Sequence, residues 1–321
     1  MKKNKRDWKE FLSENSALVA LVLLLVIAIC LKGETFLNTR NILNILMNNS
    51  IIGIIALGMT LIIITGGIDL AVGSQLAASG LLVIYVLNNT GNIFLSIIAA
   101  ILFGIVSGAF TGSMVAKFKI PPFIVTLGTL SIYRSVAQHF FHGGGIMAQA
   151  NKDAFVAISN TKIGGSVSVI IIYWIILAVV MMIFSNKTAI GRHIYAVGSN
   201  EKATKLSGIN VDKVKITAYV ISGVLVGLAA VIEATRLGSM NSASSGLSYE
   251  MDAIAAVVIG GTSMSGGKGR IIGTVFGTLT LGVINNMMNL LGVPTFLVSA
   301  IKGSIIIVAV LLQTRLNKEK E

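Results

Sequence analysis

Residues 198–210 read GSNEKATKLSGIN and belong to a polar stretch, 186–215, that carries six Lys or Arg and two acids between two apolar runs of membrane length. Asn200 has the side chain to cap a helix N-terminus. Glu201 stands where the helix dipole favours a negative charge, and Gly208 can take the left-handed conformation that ends a helix. The string predicts a two-turn helix in water. Ala203 and Leu206, three residues apart, share one of its faces between Lys202 and Lys205. Such an apolar ridge suits a groove on a partner, and it also suits a solvated helix held to lipid headgroups by its lysines.

Outward from this stretch the chain is apolar. Its 321 residues are 54% hydrophobic and 12% charged, with mean hydropathy +0.85. The apolar residues fall in runs of roughly 18 to 23, the length a bilayer core requires. The expected fold is an all-α polytopic membrane protein of about ten spans, at 16–33, 42–66, 70–88, 92–116, 122–142, 167–185, 215–235, 250–262, 270–291 and 295–313. One transmembrane domain, 16–313, would then lie between an N-terminal segment, 1–15, and a tail, 314–321. The 34 Gly against 3 Pro fit helices that approach closely and run unbroken.

The net charge of +12 is spread over short loops, without the basic face or interleaved aromatics that nucleic acid requires. The lone Cys30 excludes a disulfide framework or a thiolate metal site within one chain. Lys2, Lys3, Lys5, Arg6 and Lys9 precede the apolar run at 16–31 like a secretion signal, but no small-x-small cleavage site follows, so a retained first helix is expected. With the N-terminus in the cytoplasm and ten spans, 18 Lys or Arg fall inside and 5 outside, which supports a cytoplasmic C-terminus as well.

Two segments break the pattern. The run at 250–262 is short, and Pro121 and Pro122 stand before the fifth span, so short or broken helices near 121–142 and 250–262 are expected to line something. A likeness between IIITGGIDLAVGS and AVVIGGTSMSGGKG hints at a duplicated unit.

Four strings, GGIDLAVGS at 66–74, PPFIVTLGTLSIYR at 121–134, GRHIYAVGSNEKATKLSGINVDKVKI at 191–216 and YEMDAIAAVVIGGTSMSGGKGRIIGT at 249–274, together resemble the ribose-type monosaccharide permeases of ATP-binding cassette importers, from about Asn41 to Gln313. The 200–208 segment is similar to the coupling loop of such subunits, Glu-Ala-Ala, three residues, then Gly. It departs from that signature in having Lys202 at the first Ala and Gly208 one residue late. The resemblance implies a bacterial inner-membrane importer subunit that moves a monosaccharide, ribose first, by alternating access. It implies an ATPase partner that holds ATP and magnesium, an extracytoplasmic sugar-binding protein and a second copy of the chain, with no cofactor on this chain. Asn200, Glu201, Ala203, Lys205, Leu206 and Gly208 would couple it to the ATPase.

The remaining signals are local. GTSMSGGKG at 261–269 fails the phosphate-loop register, since Gly269 stands where Ser or Thr should bind magnesium, so the chain itself is not expected to hydrolyse ATP. Gly66, Gly67, Asp69, Gly73, Gly260, Gly261, Gly266 and Gly267 are read as structural turns, with Asp69 an N-cap. Asn285, Asn286 and Asn289 form a stripe on the ninth span that suits either neutral hydroxyls on a translocation path or interhelical hydrogen bonds, and Asn48 and Asn49 share both readings. Lys302 is expected to snorkel outward, Arg134 to pair with a carbonyl or a neighbour on its own span, and Glu233 with Arg236 to form a local ion pair. His139 and His142 lack a third metal ligand. The rival function is an ion-coupled secondary sugar transporter, which would need buried acid or histidine relays in several spans.

Overall fold

The computed structural model describes residues 16–318, and within them each apolar run is helical. Helices α1 (Ser16–Leu37), α2 (Thr39–Ile64), α3 (Val72–Thr90), α4 (Ile93–Ala116) and α5 (Pro122–Phe140) lead into strand β1 (Gly145–Met147), helix α6 (Lys152–Asn160) and strands β2 (Lys162–Ile163) and β3 (Val167–Ser168). Helix α7 (Val169–Lys187) returns to the polar stretch, which holds α8 (Ala189–Ser199) and α9 (Glu201–Leu206). Then follow α10 (Val211–Leu237), strand β4 (Ser239–Asn241), α11 (Tyr249–Ile259), α12 (Ile271–Leu290) and α13 (Thr295–Lys318). Among the described residues seven helices, α1 to α4, α7, α10 and α12, are long and apolar enough to cross a membrane. With α5, α11 and α13 the all-α, multi-pass reading of about ten spans holds.

Helix α2 is the axis of the bundle. Its residues from Asn49 to Ile64 are buried without interruption, as expected of a helix that is apolar all round and enclosed by others. It packs against α10, α12, α11 and α7. Beside it α4 and α10 meet backbone to backbone. Gly104, Gly108 and Gly112 recur every four residues, and a Cβ on any of them would strike α10 at Gly223, at Tyr219 and Val220, or at Ile216. Small residues at this spacing let two membrane helices close without a hydrophobic drive between them.

Two long helices, α2 and α10, are each followed by a non-helical segment that doubles back into the bundle before the next helix starts. Residues 65–71 follow α2 and residues 238–248 follow α10. Gly73, in the first turn of α3 rather than in a turn, meets Gly246 of the second segment, and neither position has room for a Cβ beside the other's carbonyl oxygen. Gly246 also has φ +66°, which a side chain would strain. IIITGGIDLAVGS runs off the end of α2 and AVVIGGTSMSGGKG off the end of α11, so each string closes one helix and leads to the next.

Other expectations change in detail. Pro122 is the first residue of α5, preset for a helix start, and α5 runs unbroken for 19 residues. Helix α1 is instead the kinked one, at Gly33, with φ +43°. Helix α11 is shorter than expected, 11 residues, and α13 continues past 313 to Lys318. The N-terminal segment 1–15 lies outside the described residues, as do 319–321 of the tail.

Candidate functional site

One end of the bundle carries the polar stretch. Asn200 caps α9, its Oδ1 accepting from the Ala203 N–H at 2.9 Å. Gly208, at φ +81°, closes the helix while its N–H reaches Lys205 O at 3.1 Å. Leu206 is 89% exposed, and Ala203, Lys202 and Lys205 are exposed around it. Thr204 is the buried contact of this helix. Glu201 is tied back by Lys215 at 2.7 Å and lies 4.0 Å from Lys119, which itself bonds Asp212 at 2.9 Å. The Lys119 pairs are exposed and contribute little energy, whereas Lys215 is mostly buried beside Glu201 and ties α9 to α10.

Behind α9 the mount is rigid. Helix α8 lies on the bundle through Gly191, Ile194 and Val197. At its end Gly198 sits so close to Ile64 O and the Gly267 nitrogen that no Cβ fits, and the Gly267 N–H donates to Ile64 O at 2.9 Å. The Tyr195 hydroxyl donates to Gly269 O at 3.1 Å, and burial pushes this phenol above the ordinary tyrosine range, so it stays a donor. The end of α2, the end of α8 and the glycine turn 261–269 thus form one node beneath the exposed ridge. Gly66 (φ +80°), Gly261 (φ +84°), Gly266 (φ +84°) and Gly267 (φ +72°) make its turns. Gly67 packs on the Tyr219 hydroxyl, which donates to Ile68 O at 3.1 Å, and Gly260 packs on Gly273.

Asp69 does not cap α3. The N-cap is Ala71, and the Asp69 carboxylate accepts from the Ala71 N–H at 2.8 Å, holding the turn before the helix. Lys302 does not snorkel either. It reaches Asp252 at 2.9 and 3.0 Å, because α13 packs on the first turn of α11 and offers a partner nearer than the headgroups. Arg134 donates to Ser242 O and Ser245 O, each at 2.9 Å, on the segment before α11 rather than on its own helix. Arg236 forms no ion pair with Glu233 within 4 Å among the described residues. Its guanidinium donates to Asn48 Oδ1, while Glu233 is buried with its Oε2 unpartnered among the described residues.

The asparagines separate. Asn286 exchanges carboxamide bonds with Asn41 of α2, 2.7 and 3.2 Å, and the Asn49 amide turns back to Ile45 O at 2.7 Å. Asn285 and Asn289 have no side-chain hydrogen bond among the described residues, and the Asn285 Oδ1 is buried. Asn49 also packs against Gly282, one turn before Asn286 on α12.

Three features escaped the sequence reading. Helix α8 was signalled by Thr188, whose hydroxyl accepts from the Gly191 N–H, and by the three-residue spacing of Ile194 and Val197. Helix α6 was signalled by Phe155 and Ser159 on one face, and Ser159 bonds Thr235 of α10 at 2.6 Å. The β1–β4 ribbon, Gly145 opposite Asn241 and Met147 opposite Ser239, pairs segments 92 or more residues apart in sequence.

Residues 41–310 match the family model described as branched-chain amino acid transport system, permease component. The chain belongs to this permease family. The permease is 42% identical to a ribose import permease protein of Haemophilus influenzae, across 97% of this chain and 96% of that protein. It is 41% identical to the ribose import permease protein of Escherichia coli, across 96% and 95%, and 34% identical to the galactose/methyl galactoside import permease protein of the same species, across 97% of each. No solved structure matches significantly.

Proposed function

We propose that the permease is the membrane subunit of a bacterial ATP-binding cassette importer that passes a monosaccharide, ribose, into the cell by alternating access. The carrying observation is α9, a short capped helix with a bare apolar ridge, mounted on a node that joins α2, α8 and the turn after α11. A groove on an ATPase that took Leu206 and Ala203 would move this node as one body. ATP and magnesium belong to that partner, and this chain contributes no cofactor. The end bearing α9 faces the cytoplasm with both termini on the same side, a reading that the bias of Lys and Arg supports. A sugar-binding protein delivers from the opposite side, and a second copy of the chain completes the importer. The likeness to two ribose permeases above 40% identity over nearly the whole chain supports ribose over other monosaccharides.

Uptake of labelled ribose into vesicles holding the permease, with ATP, the ATPase partner and the binding protein omitted in turn, tests this. Each omission is expected to abolish uptake. Accumulation driven by a proton or sodium gradient without the ATPase would establish the secondary transporter instead.

A further inference from the structure

The segment between α10 and α11 descends deep into the bundle from the end opposite α9. Helix α3 measures how far. Its Asn88 donates to Met147 O of β1 at 2.9 Å, its Gly80 faces Met240 of β4, and its Gly73 meets Gly246. These positions lie 8 and 15 residues below Asn88, about 12 and 22 Å at the helical rise. The ribbon and residues 242–248 therefore hold non-helical backbone at membrane depth. Much of this stretch is uncovered, with Met147, Ala243, Ser244, Leu247 and Ser248 exposed. Exposed backbone of this kind is stable in a bilayer only where protein covers it or it lines water.

Between the ribbon and residues 244–245 lies a cavity of about 410 Å³, within the range of small-molecule sites. Its polar groups come from Ser239, Asn241, Ser244 and Ser245, its apolar wall from Met147 and Met240, and none of its lining residues is charged. The Asn241 Oδ1 is used by the N–H groups of Ala243 and Ser244, both at 2.9 Å, while its amide nitrogen and the Ser244 hydroxyl have no partner among the described residues. Arg134 Nη1 donates to the carbonyls of Ser242 and Ser245 and so ties down the segment that forms one side of the cavity.

We propose that this cavity is a sugar-binding station on the translocation path, where Asn241 and Ser244 meet the hydroxyls and the methionines meet the C–H face of a neutral monosaccharide. This rests on the importer reading above and adds the site. A free amide and a hydroxyl over an uncharged lining fit a polyol, whereas an ion or a zwitterion would call for a charged partner.

The test uses the complete complex, permease with ATPase and binding protein, in vesicles of bacterial lipid. With exposed Cys30 replaced by Ser, a Ser244→Cys chain is treated from the binding-protein side with a membrane-impermeant thiol reagent. Ser244→Cys is expected to react, and saturating ribose to slow the reaction at least about threefold, while the binding protein without sugar leaves it unchanged. Ser244→Trp, which fills the cavity, is expected to lower ribose uptake more than tenfold while the complex still assembles. Ser244→Ala is expected to raise KM by a larger factor than it lowers kcat. A cysteine inert from both sides, reaction at one rate with and without ribose, protection by the binding protein alone, or full uptake by Ser244→Trp would each overturn the site. Absence of ATP-driven uptake by the unaltered complex would instead overturn the importer reading.

Discussion

Lys302 and Asp252 give the sharpest energetic test of the fold, because the pair is mostly buried, with side chains 20% and 16% exposed, and joins two helices that share few other contacts. Replacing Lys302 by Met keeps the aliphatic length and leaves the Asp252 carboxylate without its partner. Breaking a buried pair from one side costs about 3 to 5 kcal/mol, most of it the desolvation of the charge left behind. The partial exposure places this pair at the lower end, about 3 kcal/mol. Asp252→Asn is expected to cost a similar amount by stranding the ammonium. The double variant removes both charges and should be less damaging than either single, which makes the coupling about 3 kcal/mol or more. Unfolding in mixed micelles titrated with SDS, on all four proteins, reads these differences. Additive costs, with the double variant near 6 kcal/mol, would refute the pairing.

The other expectations concern the α9 end, the re-entrant segment and the asparagines. Asn200→Ala removes the cap of α9 and should cost about 1 kcal/mol locally, seen as less sugar moved per ATP hydrolysed while the yield of folded permease is unchanged. Gly198→Val places a side chain against the backbone of Ile64 and Gly267 and should sharply reduce folded protein in size-exclusion chromatography. Arg134→Met removes the nitrogen that donates to both carbonyls, and should free the 242–245 segment for faster proteolysis and hydrogen exchange with little change in overall stability. Asn286→Ala and Asn41→Ala should each cost about 1 kcal/mol, no more in combination than singly, with ribose uptake kept within twofold.

Most of the architecture was legible because lipid imposes one rule on every span, a long apolar helix, and because caps act locally. Asn200, Glu201 and Gly208 define α9 by their chemistry alone, and the structure places them as that chemistry requires. The partners of the charged residues were not legible. Lys302 could be weighed only against its own helix and the headgroups, since Asp252 stands 50 residues away. Arg134 reaches carbonyls 108 and 111 residues along the chain, and no pattern in a carbonyl announces that it will receive a guanidinium. The same holds for the ribbon. Three-residue strands carry too little alternation to be read, and their pairing depends on how α3, α5 and α10 are stacked. The asparagine stripe was read correctly as a polar face, but whether it met water or another asparagine depended on where α2 lies.

Helix α5 has an unusual pair of attachments. Just before its prolines, Lys119 is fastened to Asp212 and lies beside Glu201, the first residue of α9. Near its other end, Arg134 grips the carbonyls beneath the sugar cavity. Between Pro122 and Arg134 the helix has no kink, and residues 120–121 join it to Lys119 as a short non-helical hinge, so it behaves as a lever hung on a joint. A tilt of a few degrees at the joint would lift or lower the cavity bottom without any change in the central axis of the bundle. The stroke of the motor would then arrive at the cargo through a jointed beam.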